Sequence, residues 1–504
     1  MHLRHFIDSI TLPLVFSLSL TFWFSLVFLG GCASLPRIVP DLSRHTQPQV
    51  SLKGAHGPLS AAQSKLILQR LQNAAKRLPH PADPLDDATN NIFERHLALE
   101  EAIIGSPLTV GNEVVLLQDG PATYAAMLAA IAGAKDHINM ETYILDNDIV
   151  GQTFAMALIE KQKQGVQVNL IHDSVGTFST PSAFFQALKD QGVNVLEFNP
   201  VNPLAARKTW ALNQRDHRKL LIIDGRIAFL GGINISSVYS SGSFGPTSKT
   251  FPKRVLPSPP AATGDIGASD EKKVAVEWRD TDLQLRGPVV AEFQKLFLET
   301  WEKQHGSPVA EKIYFPQLEI VGNQVVRAIG STPEDPFSLI YATLISAINN
   351  AETSIYLTNA YFVPDPQLLS ALKAAAQRGV DVKLILPSQT DSWLVFHAGR
   401  RYYSRLLRAG VKIYQRRGVI LHSKTALIDG VWATVGSTNL DWRSFLHNQE
   451  INAVVLGPEF GSQVKAMFAK DLAASDEITR EQWRRRGLGL RIKEIFAQTW
   501  QYWL

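Results

Sequence analysis

Apolar residues along the chain fall into short blocks that alternate between two periods. Helical spacing runs over Tyr124–Ala134 and again over Leu339–Ala351, and each stretch leads into a compact apolar-rich run, Ile138–Leu145 and Ile355–Phe362, of strand length. A second helical stretch then passes through Gly165 or Gly379 into another apolar strand, and the same junction returns at Gly192 and Gly410. Amphipathic helices alternating with short apolar strands predict an α/β sheet covered by helices. A further helix is predicted near Ala61–Arg77, where Leu66, Ile67, Leu68 and Leu71 form an apolar face. Ahead of all this, Arg4 and His5 precede an uncharged run from Ile10 to Leu29, which has the character of a signal peptide or a membrane-spanning helix.

The alternation is one design written twice. Val110-Gly111-Asn112-Glu113-Val114-Val115 returns as Val321-Gly322-Asn323-Gln324-Val325-Val326, an offset of 321−110 = 211. Gly165-Val166 returns as Gly379-Val380 (379−165 = 214) and Gly192-Val193 as Gly410-Val411 (410−192 = 218). Matches in one order at nearly the same offset mark a duplication, and its two copies are expected to pack about a pseudo-two-fold axis, as a homodimer would. The expected organisation is a leader at 1–32, a tether and N-terminal helical segment at 33–105, a first repeat at 106–310, a second at 311–475 and a basic aromatic tail at 476–504. Residues 236–275, loaded with Ser, Pro, Gly and Lys, interrupt the first repeat and have no counterpart in the second; they read as a long loop beside the motif.

Composition narrows the reading modestly. The 504 residues carry 50 basic and 46 acidic side chains, a net charge of +4 that gives no case for nucleic acid as a partner. The single cysteine, Cys32, excludes an intramolecular disulfide and ends the run Leu29-Gly30-Gly31-Cys32. That run resembles the bacterial lipobox, in which the cysteine is acylated and becomes the mature N-terminus; Ala33 after it favours the outer membrane. The competing reading is an uncleaved anchor helix with an incidental thiol. Both put the protein at a membrane.

Each repeat contains one chemical constellation. The first is His217-Arg218-Lys219, Asp224 and Gly231-Gly232-Ile233-Asn234; the second is His422-Ser423-Lys424, Asp429 and Gly436-Ser437-Thr438-Asn439. The spacing is identical in both. The flanking runs Leu220–Ile223 and Thr425–Ile428 are apolar and must be buried, and residues i and i+2 of an extended strand face the same way. His217 with Lys219, and His422 with Lys424, therefore form a site of two imidazoles and two ammonium groups, to which Asn234, Asn439 and Ser437 add polar groups for a phosphate. Such a site suits a phosphodiester: one neutral histidine attacks phosphorus and the other, protonated, gives its proton to the departing alcohol. The lysines supply the charge that a metal otherwise brings, so neither metal nor cofactor is expected.

These residues resemble the HKD signature of the phospholipase D superfamily, and over roughly residues 106 to 475 the chain is most similar to bacterial cardiolipin synthases. Glu141-Thr142-Tyr143-Ile144, Asn213–Lys219, Trp278-Arg279-Asp280-Thr281, Gly330–Pro336, Tyr361–Asp365 and Asn448-Gln449-Glu450 carry that likeness. It implies two duplicated α/β/α sandwich domains meeting at one active site. It also implies an acidic residue after each motif that orients a catalytic histidine: Glu450 in the second copy, and in the first Asp280, with Asp282 as a rival. Asp224 and Asp429 belong to the signature and are grouped with the catalytic residues, although support of the lysines and strand ends suits them better than substrate contact. Gly231-Gly232 departs from the more usual Gly-Ser.

The activity implied by the resemblance is transfer of a phosphatidyl group from one phosphatidylglycerol to a second, with release of glycerol. His217 is assigned as nucleophile and His422 as acid/base, the reverse staying open. The alternatives are hydrolysis to phosphatidic acid and, from another class, a non-catalytic lipid-binding lipoprotein. The expected location is the periplasmic face of a membrane, the outer more than the inner; the sequence leaves the oligomeric state open. The mixture of Arg484–Arg486 with Ile492, Phe496, Trp500 and Trp503 fits a tail lying on an anionic membrane or a terminal helix docked on the domain.

Overall fold

The computed structural model describes residues 53–54, 57–58, 85–102, 106–202, 211–240, 276–335 and 338–504. The leader with Cys32, most of the tether, the helix expected at 61–77 and residues 241–275 of the inserted loop lie outside them. Among the described residues no helix is long and apolar enough to cross a membrane.

Helix α1 (Leu85–Ala102) precedes the first repeat, whose elements are β1 (Leu108–Gln118), α2 (Asp119–Gly133), β2 (His137–Thr142), α3 (Ile149–Lys163), β3 (Gln167–Asp173), α4 (Ser182–Asp190), β4 (Asn194–Phe198), β5 (Leu220–Ile223), β6 (Ile227–Gly231), β7 (Thr281–Arg286) and α5 (Val290–Lys303). The second repeat begins with β8 (Gln324–Ser331), α6 (Leu339–Asn350), β9 (Ser354–Asn359), α7 (Pro366–Gln377), β10 (Asp381–Pro387), α8 (Trp393–Arg400), α9 (Tyr403–Ala409) and β11 (Lys412–Arg416). It closes with β12 (Lys424–Ile428), β13 (Trp432–Gly436), α10 (Trp442–Leu446), β14 (Asn448–Leu456) and α11 (Pro458–Ala473); β15 (Ser475–Glu477) and α12 (Leu488–Gln498) follow.

Read outward from the middle, the strand order is β1-β7-β6-β5-β2-β3-β4 in the first repeat and β8-β14-β13-β12-β9-β10-β11 in the second. The two orders are the same, element for element. β1 and β8 pair antiparallel, Thr109 opposite Val326, so the two halves join edge to edge in a 16-stranded sheet. Antiparallel pairing of equivalent strands is what a two-fold axis requires. One apolar cluster draws on both repeats, with Leu220, Leu230 and Leu283 from the first packed with Leu427, Val435 and Ile451 from the second.

The HKD spacing has a backbone cause. Asp224-Gly225 and Asp429-Gly430 are the central pairs of the tight turns, within three-residue loops, that join β5 to β6 and β12 to β13, with φ of 53° and 62° in the first and 53° and 70° in the second. Positive φ at both central positions is the turn that Asp-Gly favours. Strands β2 and β9 end at Thr142 and Asn359, earlier than the apolar runs Ile138–Leu145 and Ile355–Phe362 imply. The chain leaves the sheet there to bring Tyr143 and Tyr361 to the motifs, and single bridges at Leu145–Ile235 and Phe362–Leu440 hold the departing segments.

Candidate active site

The motif histidines stand where each repeat hands its backbone to the other. Arg215 and Asp216 run parallel to Asn448 and Gln449 at the start of β14, and the His217 N–H donates to the Gln449 carbonyl (3.0 Å). In the mirror arrangement Trp278 and Arg279 run parallel to Ile420 and Leu421, and the His422 N–H donates to the Arg279 carbonyl (2.8 Å). The residue after each of those acceptors is an acid. Glu450 therefore meets the first repeat's histidine, with His217 Nδ1 3.1 Å from both carboxylate oxygens. Asp280 meets the second repeat's histidine, with His422 Nδ1 2.7 Å from Oδ2. Each acid serves the other copy's histidine.

A carboxylate at Nδ1 fixes the tautomer and leaves Nε2 as the nitrogen without the proton. Asp282, the rival of Asp280, accepts from the Ile233 N–H (3.1 Å). Lys219 Nζ donates to the His217 carbonyl, and Lys424 Nζ donates to the His422 carbonyl and lies 2.9 Å from His422 Nδ1. Lysine and histidine thus share a face in both motifs. Both histidines and both lysines are buried.

Burial and crowding set the charges. Burial, then the cations Lys219 and Lys424, pushes the His217 imidazole well below its usual pKa and leaves it neutral. Burial and Lys424 also lower His422, while the charge of Asp280 pulls the other way. Burial lowers Lys219 to about 7, against the attraction of Glu450, and Lys424 to about 8, against Asp280 and Glu450. Burial raises Glu450 to about 7, opposed first by Lys219.

The remaining expected residues occupy a layer behind the imidazoles. Ser437 Oγ donates to Glu450 and accepts the Ile451 N–H (3.0 Å). Asn234 accepts the Ile144 N–H (3.1 Å) and donates to the Tyr239 hydroxyl (3.0 Å). Both residues thus bond the group that meets a motif histidine, Ser437 through Glu450 and Asn234 through Tyr239. Asn439 differs: its Oδ1 is buried with no hydrogen-bond partner among the described residues.

The Asp224 and Asp429 carboxylates are engaged at strand ends. Asp224 accepts the N–H groups of Lys135, Asp136 and His137, and Asp429 those of Glu352, Thr353 and Ser354, so each ties its hairpin to the start of the neighbouring strand. His96 of α1 adds a bond to Asp429 (3.0 Å).

Aromatic residues complete the site and were not singled out from the motifs. Tyr239 OH lies 3.2 Å from His422 Nδ1, and the Trp278 ring packs 5.1 Å from the same imidazole. Tyr143 packs edge-on against His217 (5.1 Å) with Lys219 Nζ 5.1 Å from its ring centre, and Tyr361 lies edge-on to His422 (6.3 Å). The repeat itself carried a signal for two of them: Tyr143 and Tyr361 are separated by 361−143 = 218, the offset of the Gly192/Gly410 junctions. Tyr239 has no such signal, because its counterpart at the motif offset is Ser444 (239+205).

Comparison with known proteins agrees with this geometry. Residues 127–241 and 344–472, one stretch around each motif, match the family described as "Cardiolipin synthase, PLD-like domain". A cardiolipin synthase of Geobacillus sp. (strain WCH70) is 34% identical over 80% of this chain and 74% of its own, and cardiolipin synthase 2 of Bacillus cereus is 35% identical over 76% and 69%. The crystal structure of phosphatidylserine synthase from Haemophilus influenzae Rd KW20 aligns over 81% of this chain and all of its own with a TM-score of 0.56 and 12% identity, a likeness of fold. With paired motifs, duplicated sheet and relatives in agreement, the chain belongs to the cardiolipin synthase family of PLD-like proteins.

Proposed function

We propose that the protein joins two phosphatidylglycerol molecules into cardiolipin and releases glycerol. The observation that carries this reading is the pair of crossed histidine–carboxylate contacts flanked by two buried lysines, in a chain whose relatives are named cardiolipin synthases. His217 Nε2 attacks phosphorus while the phosphorus–oxygen bond to glycerol breaks. His422 gives its proton to the departing oxygen; Asp280 and the phosphodiester's own negative charge favour the protonated imidazole. The terminal hydroxyl of a second phosphatidylglycerol then yields its proton to His422 and attacks phosphorus, and the phosphorus–nitrogen bond breaks to restore His217. Lys219 and Lys424 neutralise the phosphoryl oxygens, and Asn439 supplies an amide beside them.

Residues 1–32 serve in this reading as a lipoprotein signal that leaves an acylated Cys32, holding the enzyme on the periplasmic side of a membrane, the outer more than the inner.

Purified full-length protein is incubated with phosphatidylglycerol in mixed micelles beside a His217→Ala control. Cardiolipin with one glycerol per molecule is expected, and phosphatidic acid alone would reassign the protein as a hydrolase. A phosphatidyl ester with a nitrophenol leaving group, which needs no acid, separates the histidines. It is expected to restore a stoichiometric burst of nitrophenol to His422→Ala and not to His217→Ala, and the opposite pattern reverses the assignment.

A further inference from the structure

Helix α12 is amphipathic in the wrong sense for a helix packed on a soluble body. A surface helix ordinarily turns its apolar stripe inward. Here the inward face carries Glu494, fully buried and bound by Arg486 (2.9 Å), together with Ala497. The outward face carries Leu488, Ile492, Ile495 and Phe496, at positions i, i+4, i+7 and i+8, and Ile492 is 66% exposed. Trp393 of α8 extends this face, its ring 6.5 Å from that of Phe496, and Trp500 and Trp503 continue it; all three indoles are more than a third exposed. Scattered apolar residues on a surface need no explanation, but a contiguous apolar face marks an interaction site.

Charge selects the occupant. Residues 479–504 hold six basic side chains and two acidic ones, 6−2 = +4, which equals the net charge of the whole chain. Arg484, Arg485, Arg491 and Lys493 are exposed around the apolar face. A second copy meeting this face with its own would bring like charge against like charge, whereas an anionic bilayer offers both apolar chains and opposite charge.

Position gives the face a use. The C-terminal Leu504 carbonyl accepts the Arg443 N–H (2.8 Å), and Trp503 stacks on His447. The His447 carbonyl accepts the N–H of Arg215, two residues before His217, and the charge of Arg443 is felt at His217 itself. The end of the face is therefore tied to the segment that carries His217.

We propose that residues 488–503 with Trp393 form an interfacial surface that rests on the anionic bilayer supplying the substrate and holds the site against it; this use rests on the phospholipid-transfer reading above. The experiment uses the full chain reconstituted in vesicles of phosphatidylcholine and acyl-brominated phosphatidylglycerol, with tryptophan fluorescence as the readout. Bromine quenching of the wild type is expected to exceed that of a W393F/W500F/W503F variant, and equal quenching overturns the proposal. In parallel, I492D/F496D is expected to raise KM for vesicle phosphatidylglycerol about tenfold and to leave kcat/KM on monomeric short-chain phosphatidylglycerol unchanged. An unchanged vesicle KM, or an equal loss on both substrates, overturns it. So does a fall in self-association of I492D/F496D without any change in quenching, which makes the face a protein interface. If the wild type turns over neither substrate, the transfer reading fails while quenching still decides the docking.

Discussion

Gly232 and Ser437 occupy equivalent places and explain each other. Ser437 leaves room for the longer Glu450 and bonds it, whereas a Cβ on Gly232 would overlap the carboxylate of Asp280. Gly232→Ser is expected to push Asp280 off His422 and lower kcat about 100-fold. Combining it with Asp280→Glu copies the second repeat's pairing and is expected to recover about tenfold, measured as steady-state kcat across the three variants. The site also sets its own pH window. As pH falls through about 7, Glu450 takes a proton and loses the charge that orients His217; as pH rises through about 7 to 8, Lys219 and Lys424 lose theirs and hold phosphate less well. The kcat/KM profile is therefore expected to be bell-shaped with its maximum near neutrality, and Glu450→Gln to flatten the acid limb while lowering the plateau.

Among the elements, the hairpins repay the most thought. Asp224→Ala leaves three N–H groups of the neighbouring strand's start without their acceptor and removes a residue tolerant of positive φ, so it is expected to cost about 2–4 kcal/mol. A lowered unfolding midpoint with kcat of the folded enzyme kept within about fivefold fits a structural role, and an intact midpoint with lost turnover returns Asp224 to the catalytic group. Burial alone would raise the carboxyl of Asp429, but bonds from His96 and from the Ser354 and Thr353 N–H groups hold it below its usual range. Its stabilisation is accordingly complete above the ordinary carboxylate pKa and lost as pH falls through the depressed value. Much of this was legible in the chain. Motif spacing, the duplication and both acids are local patterns that survive without coordinates. The crossing of the acids was not legible, because proximity in sequence assigns Asp280 to the first copy while strand pairing assigns it to His422. The protein partners of Asn234 and Ser437 were not legible for a related reason: a polar residue beside a motif looks the same whichever way it faces.

Among the described residues the two repeats meet without a seam. Strands β1 and β8 bond directly, and beside them Arg327, buried, pairs with Glu100 of α1 (3.0 Å) and donates to the Ser106 carbonyl (2.7 Å). Probes placed in either repeat are expected to report one cooperative unfolding transition at one midpoint; two midpoints would mean that the sheet is mechanically divided. Arg327→Ala strands Glu100 without its cation, and a loss of about 3–5 kcal/mol is expected, measured as a shift of that common midpoint.

The crossed acids also bear on descent. In a symmetric dimer of identical ancestors, every change in one half-site is imposed on the other, so the two histidines can never acquire different surroundings. A single chain that carries both copies is free of that constraint. One imidazole has glutamate and serine beside it and the other aspartate, glycine and a tyrosine, and neither half is spare, because each borrows its acid from its sibling.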